Sequence, residues 1–425
     1  MRRLLIAFAL VASPTIARAW NSSDHQAIGR IALQEVAREW GLDRPVPVRP
    51  LESLLKKLLL CMDSSSMGIV RGRAGSPPDF SEPSGCASGE RIDPWHFADW
   101  LKINPAIDIE RPVPEMTSKK AATPLEILSY YSIDPDDGRD QDLFVRDEKG
   151  KPHARFRDQK WFGALAGANS QAFRHMEKPP FSFRHPIATF GFPFRGVGEA
   201  TRRCKIWCLA SELAFAHGEE YWGWRFLANA LHYLQDLHQP FHAGQITPGI
   251  LIRGLGAWPF GWGYSKGFMG TFAQLMSNTH RFFESFIAQP GSRDQGKKDR
   301  ALFALRGKET PPLPDDPLQL AIAARDASNR LFPPTVNAVI RMAKPELLGG
   351  REFRSDPPAA DDPLSFIREG TDAANRRLYA IVNERFGAAG QSLRTAVRMA
   401  INRRGTRTPE QITQELTETI SGHSP

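Results

Sequence analysis

"LHYLQDLHQPFHAG", residues 231–244, sets His232, Asp236 and His242 into the pattern of an apolar helix that turns at Pro240. Four residues apart, His232 and Asp236 project from one helix face. One such pair is commonly no more than a structural hydrogen bond. The spacing recurs in "SNTHRFFESF", residues 277–286, where His280 and Glu284 share a face of a second predicted helix. Helices that each aim a histidine and a carboxylate inward are how bundles hold groups of metal ions. The reading therefore predicts a helical fold with a polar centre inside it, and His242, just past the turn, is in reach of that centre.

Outward from this stretch the signals stay helical. "SDHQAIGRIALQEVAREW", residues 23–40, carries an Ile28, Ile31, Ala32, Val36 stripe behind Ser23 or Asp24 as cap, with Gly41 as the stop. A second helix is predicted near 50–62. Further helical patterns cover 200–239, broken lightly at Gly218 and Gly223, then 271–288, 316–345 and 363–403, with a short helix near 409–420 in an otherwise weakly ordered tail. Residues 70–95 read as a loop rich in Gly, Pro and Ser, 176–200 as a Pro/Phe-rich loop, and 103–160 as an irregular charged insertion around "DPDDGRDQ". Strand-like alternation is rare, and there is neither a repeat nor a heptad pattern of the kind a structural interaction protein would carry. The class is mostly α.

The N-terminus speaks to compartment. "MRR", then "LLIAFALVA", then "ARA" at 17–19 make a basic, apolar, small-residue series that predicts an export signal cleaved after Ala19. The expected mature chain is periplasmic or secreted and begins at Trp20. Loss of Arg2, Arg3 and Arg18 takes the formal charge from +8 to +5, a sign that tolerates a phosphate-bearing substrate without identifying one. No later run is long and apolar enough to span a membrane. Four cysteines, Cys61, Cys86, Cys204 and Cys208, predict two disulfides in an oxidising compartment. Pairing Cys61–Cys86 and Cys204–Cys208 is one of three connectivities, and "CKIWC" excludes the C-x-x-C redox and haem motifs.

Cleavage also creates a ligand. A free amine at Trp20, with the carbonyl of the same residue, closes a five-membered chelate ring, and His25 follows five residues on. Upstream of the central helix, Asp79 in "GSPPDF" and His96 in "DPWHFADW" are further candidates. His238 is assigned to a supporting or surface position, His217 to a helix end, and His153, His175, His185 and His423 to loops or the tail. Trp222 and Trp224 are assigned to the core, and "RRCK", 202–205, to a solvated face.

Together, mature Trp20, "DH" at 24–25, "GSPPDF", "WHF", "HYLQDLHQPFH" and "THRFFE" resemble the trinuclear-zinc superfamily that joins bacterial phospholipases C to fungal and plant single-strand nucleases. The resemblance runs from residue 20 to about 286. It implies a multi-helix catalytic domain over 20–290, behind the signal peptide 1–19, with 291–425 as a helical extension packed on it or appended to it. It also implies three zinc ions. Asp79, His96, His232 and Asp236 would hold one. Trp20, His25 and a bridging Asp236 would hold a second, and His242, His280 and Glu284 a third, more open one. Asp79 would orient the attacking water.

The resemblance implies phosphodiester hydrolysis, on phospholipid or on single-stranded nucleic acid. Glu284 and "HYLQD" favour phospholipase C. So does the apolar stretch 249–277, where Trp258 and Trp262 suit contact with a membrane surface. "W-x4-H" and "DLHQPFH" favour a nuclease. A non-catalytic exported helical protein is the alternative from another class, and the nine filled ligand positions weigh against it.

Overall fold

The central helix is buried on every side. In the computed structural model, which describes residues 22–49, 53, 54, 57, 119–136, 175–178, 197–244, 268–288, 301–307, 313–347, 353 and 361–421, residues Glu220–Leu237 form a helix with no exposed side beyond its first residue. A helix apolar on only one stripe would lie on a surface. This one, α4, is covered on both sides: Trp222, Phe226, Leu227, Leu231 and Leu234 lie on its apolar half, Arg225, Asn229, His232 and Asp236 on a polar side that is buried too, and the rest of the chain packs about it.

Before it come α1 (Ser22–Gln34), α2 (Pro124–Tyr130), a 3-10 turn (Tyr131–Ile133) and α3 (Ala200–Ala216). After it come α5 (Pro240–Ala243), α6 (Phe268–Ala288), α7 (Pro317–Met342), a 3-10 turn (Pro363–Phe366), α8 (Asp372–Asn402) and α9 (Pro409–Ser421). Two antiparallel pairs of two-residue strands are the sheet content among the described residues. β1 (Val46–Pro47) pairs with β2 (Ala121–Ala122), and β3 (Glu177–Lys178) with β4 (Val197–Gly198). The mostly α fold expected from the sequence is the fold observed.

α3 and α4 form a helical hairpin. Gly218, at φ +70°, closes α3: its N–H donates to the Phe215 carbonyl and the Glu219 N–H to the Ala214 carbonyl, both at 2.9 Å. This double bond pattern needs a left-handed residue, and glycine takes it without steric cost. The break expected at Gly218 is real, whereas Gly223 lies inside α4. Between the two helices Trp207 meets Phe226, with ring centroids 5.6 Å apart, and Phe226 meets Trp222 at 5.5 Å.

Several expectations change. Part of the insertion expected to be irregular is built structure. Thr123 and Glu126 form a reciprocal cap on α2, Glu126 N–H to Thr123 Oγ1 at 3.2 Å and Thr123 N–H to Glu126 Oε2 at 2.8 Å, with Pro124 in the first turn. α2 and the turn after it lie against α1 and α4. Inside the predicted 176–200 loop, the ends pair as β3 and β4. The 363–403 helix begins as a 3-10 turn, and α8 starts only at Asp372. Cys204 and Cys208 are free thiols one helical turn apart, not a disulfide; the neighbouring thiol and burial raise the Cys204 pKa. "RRCK" is no solvated face. Arg203 is buried over the Tyr233 ring and Lys205 pairs with Glu415 of α9 at 2.8 Å. α9, in the tail expected to be weakly ordered, docks on α3 through buried Ile412 and Leu416.

Residues after 290 share one core with those before it. Phe332 of α7 packs edge-on against Phe241 of α5, 5.5 Å between centroids. Arg394 of α8 donates to the Ala32 carbonyl of α1 at 3.1 Å and to the Leu305 carbonyl at 2.7 Å. Among the described residues, no helix is long and apolar enough to cross a membrane.

Candidate metal centre

Helix α4 presents His232 and Asp236 from its last two turns, both completely buried. Around them gather His25 from α1, Asp136 from the segment that follows α2, and His175 from the residues that lead into β3. His175 Nδ1 lies 2.9 Å from Asp236 Oδ2 and 2.8 Å from His232 Nε2. His232 Nε2 is 3.2 Å from Asp236 Oδ2 and 3.8 Å from Asp136 Oδ1. On the other side, His25 Nε2 is 3.6 Å from Asp236 Oδ1 and 3.8 Å from Asp136 Oδ2. The two oxygens of Asp236 thus face different histidines, Oδ1 toward His25 and Oδ2 toward His175 and His232.

A second cluster lies beyond the turn at Pro240. His242 of α5 meets His280 and Glu284 of α6, with His280 Nε2 at 2.8 Å and His242 Nε2 at 3.9 Å from Glu284 Oε1. The clusters are joined, because His242 Nδ1 donates to the backbone carbonyl of His175 at 2.5 Å. In each of the three groups, His25/Asp136/His232, His175/His232/Asp236 and His242/His280/Glu284, the ligand atoms all lie within 4.8 Å of one another.

These residues fit a metal ion. Ligands at zinc's usual bond length of about 2.1 Å, spread tetrahedrally, stand about 3.4 Å apart, inside the range of 2.8–3.9 Å seen here. The hydrogen bonds outside the clusters fix which ring nitrogen is offered. His25 Nδ1 donates to Gln235 Oε1 and His232 Nδ1 to the Ser132 carbonyl, each at 2.6 Å. With Nδ1 occupied in His25, His232 and His242, the Nε2 lone pair turns inward, which is how metal-ligating histidines are oriented. His25 Nε2, His242 Nε2 and Asp236 Oδ1 are buried and make no hydrogen bond, a costly state that a bound cation relieves.

The electrostatics agree. Burial, then the proximity of His232, pulls His25 well below the usual histidine range. Burial likewise lowers His242 and His280. Burial pushes Asp236 up to about 7 against the pull of His232. Burial also disfavours charge on His232, but the Asp236 and Asp136 carboxylates more than offset it and hold the ring at about 9. Asp236, which resists ionisation, and His25, His242 and His280, which resist protonation, would each be stabilised in ligand form by a cation; His232 is the exception, since its carboxylate neighbours favour the protonated ring and a bound cation would have to displace that proton.

Comparison with protein-family profiles, with curated proteins and with solved structures finds no match to this chain.

Of the nine positions expected from the sequence, His25, His232, Asp236, His242, His280 and Glu284 are brought together. Trp20, Asp79 and His96 lie outside the described residues, as do Cys61, Cys86, His153, His185, Trp258, Trp262 and His423. Asp136 and His175 were missed. Asp136 sits in the charged insertion expected to be irregular, and His175, assigned to a loop, in a segment without helical period. His238 is buried and turned from the centre toward Ser392 of α8, 2.9 Å from its hydroxyl. His217 ends α3, as expected, and accepts from Lys57 through its carbonyl at 2.9 Å.

Proposed function

We propose that this protein is an exported phosphodiesterase that holds three zinc ions, and that it hydrolyses phospholipid in the manner of the phospholipases C it resembles. The observation that carries the reading is Asp236: one buried carboxylate with Oδ1 toward His25 and Oδ2 toward His175 and His232. In this reading His175, His232, Asp236 and Asp136 would hold one ion, and His25, Asp236 and Asp136 a second, to which the resemblance adds the Trp20 amine and carbonyl, outside the described residues. His242, His280 and Glu284 would hold the third. Asp136 and His175 take the places first given to Asp79 and His96.

Bound there, zinc supplies a Lewis acid for phosphoryl oxygens and brings the pKa of water from 15.7 toward ~7. The chain supplies the rest. Asp136, whose oxygens face His25, His175 and His232, would orient the attacking water. Gln235 and the Ser132 carbonyl hold His25 and His232 in the tautomer that leaves Nε2 as acceptor. The third group, at the more accessible His280 and Glu284, would serve the leaving oxygen. Lipid is preferred over single-stranded nucleic acid on Glu284 and on the aromatic stretch 249–277.

The test is a side-by-side assay of protein beginning at Trp20, with its metal content measured, on phosphatidylcholine vesicles and on single-stranded DNA. Phosphatidylcholine hydrolysis is expected. Cleavage of DNA alone moves the substrate to nucleic acid, and metal-loaded protein inert on both overturns the enzyme reading.

A further inference from the structure

Gln239 touches both clusters and belongs to neither. Its N–H donates to the Asp236 carbonyl at 2.9 Å, and its own carbonyl accepts the His242 N–H at 3.0 Å. Its backbone therefore spans the step from the ligand that ends α4 to the ligand on α5. The side chain is fully buried and turned to α6. There the amide nitrogen lies 2.9 Å from Glu284 Oε1 and 3.1 Å from His280 Nε2, atoms that are themselves 2.8 Å apart.

We propose that Gln239 is the positioning residue of the His242/His280/Glu284 metal site, its amide fixing which oxygen of Glu284 faces the ion. A glutamate has one more rotatable bond than an aspartate and loses more freedom when held. The orientation of Glu284 therefore has to come from a neighbour, and an amide N–H on Oε1 supplies it while the second lone pair of that oxygen stays available. Outer hydrogen-bond partners of metal ligands typically set about 10–100-fold in metal affinity. The other cluster is independent of this amide, because His25 and His232 are oriented by Gln235 and by the Ser132 carbonyl.

The inference rests on the three-ion reading, and the experiment separates the two. Full-length protein beginning at Trp20, wild type and Gln239→Met, is titrated with zinc against a chromophoric chelator, so that number and affinity of each class of ion are read without any activity. Gln239→Met keeps the length of the side chain and removes the donor; Gln239→Leu serves the same purpose should the first variant not fold. The expected result is an affinity of the weakest-bound ion reduced about 10–100-fold, with the tighter ions and the helical circular dichroism unchanged. Unchanged affinity of that ion, or equal weakening of all ions, overturns the positioning role while leaving the metal centre standing. Wild-type protein that takes up no third ion overturns both.

Discussion

Asp236 shows how much one side chain can be asked to hold. Its position is set by α4, its Oδ1 faces His25 while its Oδ2 faces His175 and His232, and burial makes its charge expensive. At this scale the ligands divide by how they are spaced. His232/Asp236 and His280/Glu284 are legible in the sequence because a helix turns i and i+4 to one face. Asp136 and His175 are not. They reach the centre through a capped helix ending in a 3-10 turn and through a two-residue strand, and neither leaves a period to read. A set of single substitutions checks the assignment. Asp136→Asn and His175→Gln should each strip metal from the buried cluster, lowering zinc retained after dialysis by at least one ion per chain. Asp79→Asn and His96→Gln should leave zinc content as it is. The opposite pattern would return the roles to Asp79 and His96.

Elements hold these residues where they are, and α5 is the most exacting of them. This single turn, Pro240–Ala243, carries His242 and ends on Gly244, at which an added Cβ would stand 1.9 Å from Phe332 Cγ. Phe332 is itself buried against Phe241, so the ring has nowhere to retreat. Gly244→Ala should cost about 1–3 kcal/mol through overpacking, more than the few tenths the unfolded chain gives back. Thermal unfolding measures it, and an unchanged or raised midpoint would show that α7 yields. The long helices were legible, since α1, α6, α7 and α8 follow stripes of apolar residues, whereas short α2 fell inside the insertion expected to be irregular. The paired strands were not, because two residues cannot establish alternation. Nor was the burial of Arg203, which follows from what α4 presents to it.

On the scale of the molecule, the region after residue 290 is wall rather than appendage. Sequence reasoning could not assign it a purpose because its contacts are made with segments far away in the chain: α7 on α5, α8 on α1, α9 on α3. A protein ending at residue 290 would expose Phe241 and leave the inner face of α1 without its anchor. It should show no cooperative thermal transition and should not retain zinc. A cooperative transition in that fragment would mean that residues 20–290 fold alone and that the later helices are dispensable.

The bonds from Arg394 to Ala32 and Leu305 carry a consequence in time. His25 belongs to the first helix to be synthesised, and the side chain that pins that helix belongs to nearly the last. α1 also rests on α2, on the turn after it and on α4, and His25 is held by Gln235, so the earlier segments can gather around it. The Ala32 carbonyl, however, finds this donor only once α8 has been made. A chain stalled short of Arg394 holds every described candidate ligand and lacks the last clasp on α1.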